Sequence, residues 1–218
     1  MKKYLLFDLD GTLTNPEEGI TKSVQIALEH FGIHVEDRKE LIPFIGPPLI
    51  DQFMEVYGFT REQAREAVTV YRSYYTTKGL YENLEYAGIR QMLGALKSAG
   101  YELFVATSKP EFMAVEILKH FGYLSYFKRV AGADEKEDRV RKGDVIRYLM
   151  KEAGIREVSE AVMIGDRKHD VLGAREVGMD SIGVLYGFGS REELMEAGAG
   201  WIAETVEDLE EYLLMQTD

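Results

Sequence analysis

The sequence predicts an α/β fold, a parallel sheet covered by helices, with an all-helical segment inserted after the first strand. Three observations predict it. From about residue 83 onward, short apolar runs alternate with helical patterns, the signature of βαβ units in a parallel sheet. Between residues 15 and 82 apolar residues recur only at helical spacing, and no strand alternation appears. Polar residues gather where apolar runs stop: Asp8 and Asp10 after the first, Thr107, Ser108 and Lys109 after the second, Asp166 and Asp170 after the fourth. In an open parallel sheet these carboxyl ends face one crevice, where ligands bind.

Residues 4–7 form the first strand, an apolar run that stops at Asp8-Leu9-Asp10-Gly11-Thr12. Asp8 and Asp10, two apart, share a strand face. Two unpaired carboxylates repel, so the pair implies a metal cation or an acid/base role. Ile20, Val24, Ala27, Leu28 and Phe31 then mark a helix, and Pro43, Pro47 and Pro48 break the chain into a hinge. Leu49, Phe53, Val56 and Tyr57 mark a second helix that closes near Gly58. Thr60, followed by Glu62 and Gln63, opens another carrying Ala64, Ala67, Val68, Tyr71 and Tyr75. Four or five helices are expected in this insert.

Residues 80–85 read as a return linker, and residues 86–99 as a helix ending at Gly100. Residues 101–106 are the second strand. Pro110 suits the first turn of the following helix, which runs to Phe121. A short third strand over 127–131, a helix over 142–153 and a fourth strand over 161–164 follow. Then come a helix ending at Gly178 and a fifth strand over 180–185. Ser190 and Glu193 have capping-box spacing. After a weak apolar stretch at 201–203, Val206, Leu209, Tyr212 and Leu213 mark the last helix. The expected organisation is a core of residues 1–14 and 83–218 with a cap of residues 15–82.

Composition narrows the function. A net charge of −12 argues against general nucleic-acid binding, which needs Lys and Arg to neutralise phosphates. The absence of cysteine excludes disulfide and thiol chemistry. No apolar run is long enough to cross a bilayer, and the expectation is a cytoplasmic protein with neither signal peptide nor anchor, a monomer or homodimer. From periodicity alone, Lys142 could equally be a solvated member of the charged run 136–142. Lys109 could simply flank a helix, and His169 is more readily an exposed residue than a ligand. Gly187-Phe188-Gly189-Ser190 lacks the third glycine and acidic partner of a dinucleotide fingerprint.

Taken together, the motifs resemble those of the haloacid dehalogenase (HAD) superfamily, specifically its phosphatases with a C1-type helical cap, in the phosphoglycolate phosphatase and 5′-nucleotidase branch. The likeness spans essentially the whole chain. It is carried by Phe7-Asp8-Leu9-Asp10-Gly11-Thr12-Leu13, Ala106-Thr107-Ser108-Lys109-Pro110, Lys142, Met163-Ile164-Gly165-Asp166-Arg167-Lys168-His169-Asp170 and Gly183-Val184-Leu185-Tyr186-Gly187-Phe188-Gly189-Ser190. Tyr86-Ala87-Gly88 departs from the pattern, since many relatives carry a proline after the aromatic.

The resemblance implies a Rossmann-like core and Mg²⁺-dependent hydrolysis of a small phosphomonoester. Asp8 would be the nucleophile and form an aspartyl-phosphate. Asp10 would be acid and base, and Thr107 and Lys142 would stabilise the transferring group. Asp8, Asp166 and the Asp10 carbonyl would hold the metal, with Asp170 orienting a metal water or Lys142. Gly11, Thr12, Ser108 and Lys109 would serve the phosphate. A cap loop around Ile45 and Gly46 would enter the site; it offers no clear cation for a second carboxylate unless Lys22 or Arg72 turns inward. Asp10 argues against dehalogenation, which needs no proton. A phosphomutase and a non-catalytic phospho-ligand module are the alternatives, and 2-phosphoglycolate and a nucleoside 5′-monophosphate are the two substrate classes.

Overall fold

The structure is a computed structural model describing residues 2–134 and 139–216. The charged stretch 135–138 lies outside the described residues. Two compact units emerge: Met1–Asn15 with Glu85–Asp218, and Pro16–Leu84. The units divide at 15/16 and 84/85, against expected divisions at 14/15 and 82/83.

The chain begins with β1 (Tyr4–Phe7), whose Leu5, Leu6 and Phe7 are fully buried. After the aspartate turn comes β2 (Thr14–Asn15), a two-residue strand. The insert follows, with α1 (Glu17–His30), a 3-10 segment Arg38–Phe44, α2 (Leu49–Tyr57), α3 (Arg61–Tyr75) and a 3-10 turn Gly79–Tyr81. Helices α1 and α3 bury the faces that the spacing marked: Ile20, Val24, Ala27 and Leu28 on one, Ala64, Ala67, Val68, Tyr71 and Tyr75 on the other. Thr60 and Gln63 form a reciprocal capping box at the start of α3, satisfying two otherwise orphan N–H groups. Phe44, Phe53, Tyr57, Phe59 and Phe31 cluster with ring centroids 4.7–6.2 Å apart. This is aromatic packing of the usual offset and edge kind.

β3 (Leu84–Glu85) pairs with β2, so the two crossings of the chain form a small ribbon. Then follow α4 (Ile89–Ser98), β4 (Glu102–Pro110), α5 (Glu111–His120), β5 (Phe127–Ala133), α6 (Lys142–Ala153), β6 (Ala161–Gly165), α7 (Lys168–Glu176), β7 (Asp180–Val184), α8 (Arg191–Ala197), β8 (Trp201–Ala203) and α9 (Val206–Leu214). One expectation needs correction. Pro110 is the last residue of β4 and caps α5 from outside, with φ −51° and ψ 131°, rather than occupying the helix's first turn. Residues 201–203 pair with β7 as an edge strand. Their short, weakly apolar run concealed it, because an edge strand buries only part of its surface.

The main sheet has the order β5-β4-β1-β6-β7-β8, with every strand pair parallel. Strand side chains alternate between faces. Leu6, Phe104, Ala106 and Met163 therefore share one face, where they pack with Val145, Ile146 and Leu149 of α6 and Ala174 of α7. Burying each large apolar side chain contributes about 1.5–3 kcal/mol. The topology places β1 between β4 and β6, with Phe7 level with Val105 on one side and Ile164 on the other. The chain's three polar strand ends are thus adjacent, and β1 and β6 flank the point where strand order reverses. No helix among the described residues is long and apolar enough to cross a membrane.

Candidate active site

Asp8 leaves the end of β1 with its N–H donated to the Ile164 carbonyl of β6, 2.8 Å away, so the sheet ladder fixes the position of its backbone. Asp166 follows β6 directly, and Asp170 lies in the first turn of α7. There Asp170 Oδ2 accepts the Arg167 N–H at 3.1 Å. A carboxylate at a helix N-terminus also meets the positive end of the helix dipole. Asp8, Asp166 and Asp170 are buried, and each offers an oxygen lying within 4.8 Å of those of the other two.

One ammonium enters this cluster. Lys142, the first residue of α6, is 5 % exposed. Its Nζ sits 2.8 Å from Asp8 Oδ1, 2.7 Å from Asp170 Oδ1 and 2.8 Å from the Ala106 carbonyl within β4. Burial alone would lower the lysine pKa. The Asp170 and Asp8 charges override it and hold the pKa above its ordinary value. Lys142 is therefore not a solvated lysine of the charged run.

The carboxylates tell the complementary story. Burial pushes Asp166 well above the ordinary carboxylate range, and the Asp170 and Asp8 charges push it further, while the Phe188 N–H opposes the rise. Burial raises Asp170 to about 6, against the pull of Lys142. Three buried carboxylates against one ammonium leave two negative charges, which a divalent cation would offset. Hard oxygen donors at this spacing suit a small cation that keeps several waters, Mg²⁺ above all.

Glycines make room for Asp166. Gly11 turns the chain at φ +85°, which an L side chain rarely adopts, and a methyl there would overlap the Asp166 carboxylate. A methyl on Gly187 would strike both the Gly11 carbonyl and Asp166. Phe188 N–H donates to Asp166 Oδ2 at 2.8 Å, while the Thr12 hydroxyl approaches Oδ1 at 3.4 Å, a weak contact. Gly11 and Thr12, expected at the phosphate, thus pack on Asp166.

The second polar strand end behaves differently from expectation in one respect. Thr107 is buried, and its Oγ1 accepts the Lys109 N–H at 3.2 Å, while Ser108 is half-buried. The Lys109 ammonium lies on Asp10 Oδ2 at 2.5 Å, with both side chains more than nine-tenths buried. Burial raises the Asp10 pKa, and Lys109 opposes the rise. Asp10 Oδ1 is buried and finds no hydrogen-bond partner among the described residues.

Within the insert, Ile45 is buried, Gly46 adopts φ 105° and Arg72 lies on the exposed face of α3. Lys22 is held by Glu18 at 2.7 Å and by Glu82 at 2.8 Å, with Arg38 also on Glu18 at 3.0 Å. Two carboxylates thus already share the lysine proposed for a second substrate charge. Sequence reasoning missed the Phe188 N–H and Glu193. Glu193 has capping-box spacing, and its N–H does bond Ser190, but its carboxylate takes the Lys168 N–H at 2.8 Å and Arg167 Nε at 2.9 Å. No local signal announces a contact 25 residues away in the chain.

The family model described as haloacid dehalogenase-like hydrolase matches residues 5–184. The chain belongs to that family. This HAD protein is an enzyme of the family's phosphatase kind. It is 49% identical over 190 residues to a 5′-nucleotidase of Pseudomonas aeruginosa, covering 87% of this chain and 86% of that one. It is 37% identical over 214 residues to tyrosine-protein kinase PtkA of Mycobacterium tuberculosis, covering 97% of this chain and 72% of that one. A predicted phosphatase from Clostridium acetobutylicum, solved as a crystal structure, superposes with a TM-score of 0.96 at 47% identity, covering 99% of each chain.

Proposed function

We propose that this HAD protein hydrolyses a small phosphomonoester through an aspartyl-phosphate on Asp8. The observation that carries the proposal is the convergence of Asp8, Asp166 and Asp170 at the carboxyl ends of adjacent parallel strands, with Lys142 bound to Asp8 and Asp170. Asp8 and Asp166, with the Asp10 carbonyl, would hold Mg²⁺. When bound, Mg²⁺ supplies the positive charge that lets an anionic nucleophile approach a phosphate dianion.

The chain's own residues do the rest. The Asp8 carboxylate attacks phosphorus and the bond to the leaving oxygen breaks, with the Asp10 proton passing to that oxygen. Asp10, now a carboxylate, takes a proton from the incoming water as its oxygen bonds phosphorus. The Asp8–phosphorus bond then breaks, releasing inorganic phosphate. Such proton transfer is worth roughly 10²–10⁴-fold. Lys142 holds Asp8 in place and opposes the charge on the transferring group, and Thr107 lies at the neighbouring strand end to receive a phosphoryl oxygen.

A nucleoside 5′-monophosphate is the favoured substrate class, supported by the 49% identical relative named 5′-nucleotidase. The engagement of Lys22 by Glu18 and Glu82 weighs against the second carboxylate of 2-phosphoglycolate. The test is phosphate release from nucleoside 5′-monophosphates, 2-phosphoglycolate, sugar phosphates and pyrophosphate, with Mg²⁺ and with EDTA. Metal-dependent release led by one nucleotide supports the reading, and Asp8→Asn should abolish it while Mg²⁺ binding persists more weakly. Hydrolysis by Asp8→Asn at a comparable rate refutes the nucleophile. Transfer to a sugar instead of water would make the protein a mutase.

A further inference from the structure

Lys109 offers its charge to Asp10 rather than to open space. The contact spans 99 residues of chain and joins β4 to the turn after β1, beyond the point where the two strands pair, at Phe7 and Val105. Its acceptor is Asp10 Oδ2. Oδ2 is engaged by the ammonium, whereas Oδ1 is buried without a hydrogen-bond partner among the described residues. A buried, unsatisfied acceptor is costly, so its persistence calls for a functional explanation.

We infer that Lys109 is a positioning residue for Asp10, fixing the carboxyl group by Oδ2 so that Oδ1 carries the proton work. The inference rests on the reading of Asp10 as acid and base. When Asp10 is an acid, Oδ2 is its carbonyl oxygen and still accepts the Lys109 N–H, while Oδ1–H donates to the leaving oxygen. When it is a base, Oδ1 accepts the proton of water and Oδ2 keeps the same partner. One lysine contact thus serves both steps without rearranging. The backbone supports the arrangement, because Thr107 Oγ1 accepts the Lys109 N–H and ties the lysine to the strand end. A lysine devoted to substrate phosphate would behave differently: it would affect every phosphomonoester alike, whatever group departs.

That difference is measurable. The parameter kcat/KM reports the steps up to departure of the leaving group. p-Nitrophenolate departs without a proton, whereas the 5′-alkoxide of AMP requires one. Lys109→Met is expected to lower kcat/KM for AMP so that the ratio of p-nitrophenyl phosphate to AMP rises about tenfold or more, within the span of acid–base catalysis. Lys109→Arg, which retains a cation donor, should recover part of the ratio. In an Asp10→Asn background, Lys109→Met should leave the ratio unmoved, because groups that act as a unit are not additive.

Equal losses on both substrates, with KM raised, would make Lys109 a phosphate ligand and overturn the inference. No change in the ratio would do the same. Should Lys109→Met fail to fold by circular dichroism, Lys109→Gln and Lys109→Arg are read by the same ratio. Failure of the underlying reading looks different: Asp8→Asn would then retain turnover, or Asp10→Asn would itself leave the ratio unchanged.

Discussion

Replacing Lys142 with methionine tests how the site holds its charge. Methionine keeps the length and apolar stem of the side chain but removes the ammonium that sits 2.8 Å from Asp8 and 2.7 Å from Asp170. All three groups are buried. Deleting one partner of a buried ion pair costs about 3–5 kcal/mol, because the remaining charges are left uncompensated. A chain of this length loses about 2–4 °C per kcal/mol, so the metal-free variant should melt about 6–20 °C lower at pH 8. The loss should fall in the transition of the unit formed by Met1–Asn15 and Glu85–Asp218.

The pH dependence has a definite sign. Asp170 in the wild type titrates at about 6, and without Lys142 it must titrate higher. At pH 5 Asp170 is mostly protonated in both proteins, so its share of the gap in stability is small and the Asp8 pair carries what remains. As pH rises from 5 to 8 the wild type forms a paired carboxylate, while the variant either keeps a proton or buries an unpaired charge, so the gap widens. Differential scanning calorimetry at pH 5 and pH 8, without metal and with EDTA, reads both effects. Added Mg²⁺ should restore part of the stability but not the rate, which should stay about 10²–10³-fold low. A variant that melts with the wild type at pH 8 would refute the claim that Lys142 offsets the buried carboxylates.

Two further substitutions probe the scaffold. Gly187→Ala places a methyl against the Gly11 carbonyl and Asp166. It should cost about 1–3 kcal/mol by overpacking and weaken Mg²⁺ binding measured by calorimetric titration, whereas unaltered affinity would show that the loop is not what seats Asp166. Thr60→Ala removes the capping box of α3 and should cost about 1 kcal/mol. Hydrogen exchange should rise in residues 61–64 of the insert, and no change there would mean the cap contributes nothing.

How far the sequence could be read follows from the range of each interaction. The strands and helices were legible because burial repeats with the period of the backbone. Asp8, Asp10 and Asp166 stood out because polar residues close apolar runs, and adjacency of β4, β1 and β6 then brings those ends together; Lys142, in a charged run, was singled out by the family resemblance alone. Glu193 was misleading for the opposite reason. Its spacing from Ser190 suggests a local cap, yet its carboxylate holds Arg167 and the N–H of Lys168. Phe188 was invisible, because what it contributes to Asp166 is a backbone N–H that any residue except proline could supply. Lys109 presented two readings beside Pro110, and only its tertiary placement identifies Asp10 as its partner.

The distribution of charge explains why these contacts take the form they do. Each cation that the described site contains is tied to carboxylates: Lys109 to Asp10, Lys142 to Asp8 and Asp170. Asp166 receives the Phe188 N–H, a long contact from Thr12 and the charge of Arg167. It is the fully buried carboxylate with the least compensation, and burial and its acidic neighbours push its pKa well up. A lysine placed there would stabilise the fold but fill the position a divalent cation needs. Keeping Asp166 undercompensated, and walling it with Gly11 and Gly187 so that it cannot turn away, makes cation binding relieve a cost the fold already carries. By linkage, such binding would stabilise the folded state by RT ln(1 + M/Kd), where M is the free cation concentration. A cation bound there would relieve that cost, and Gly11 and Gly187, which leave Asp166 its room, would share in the affinity with the carboxylates themselves.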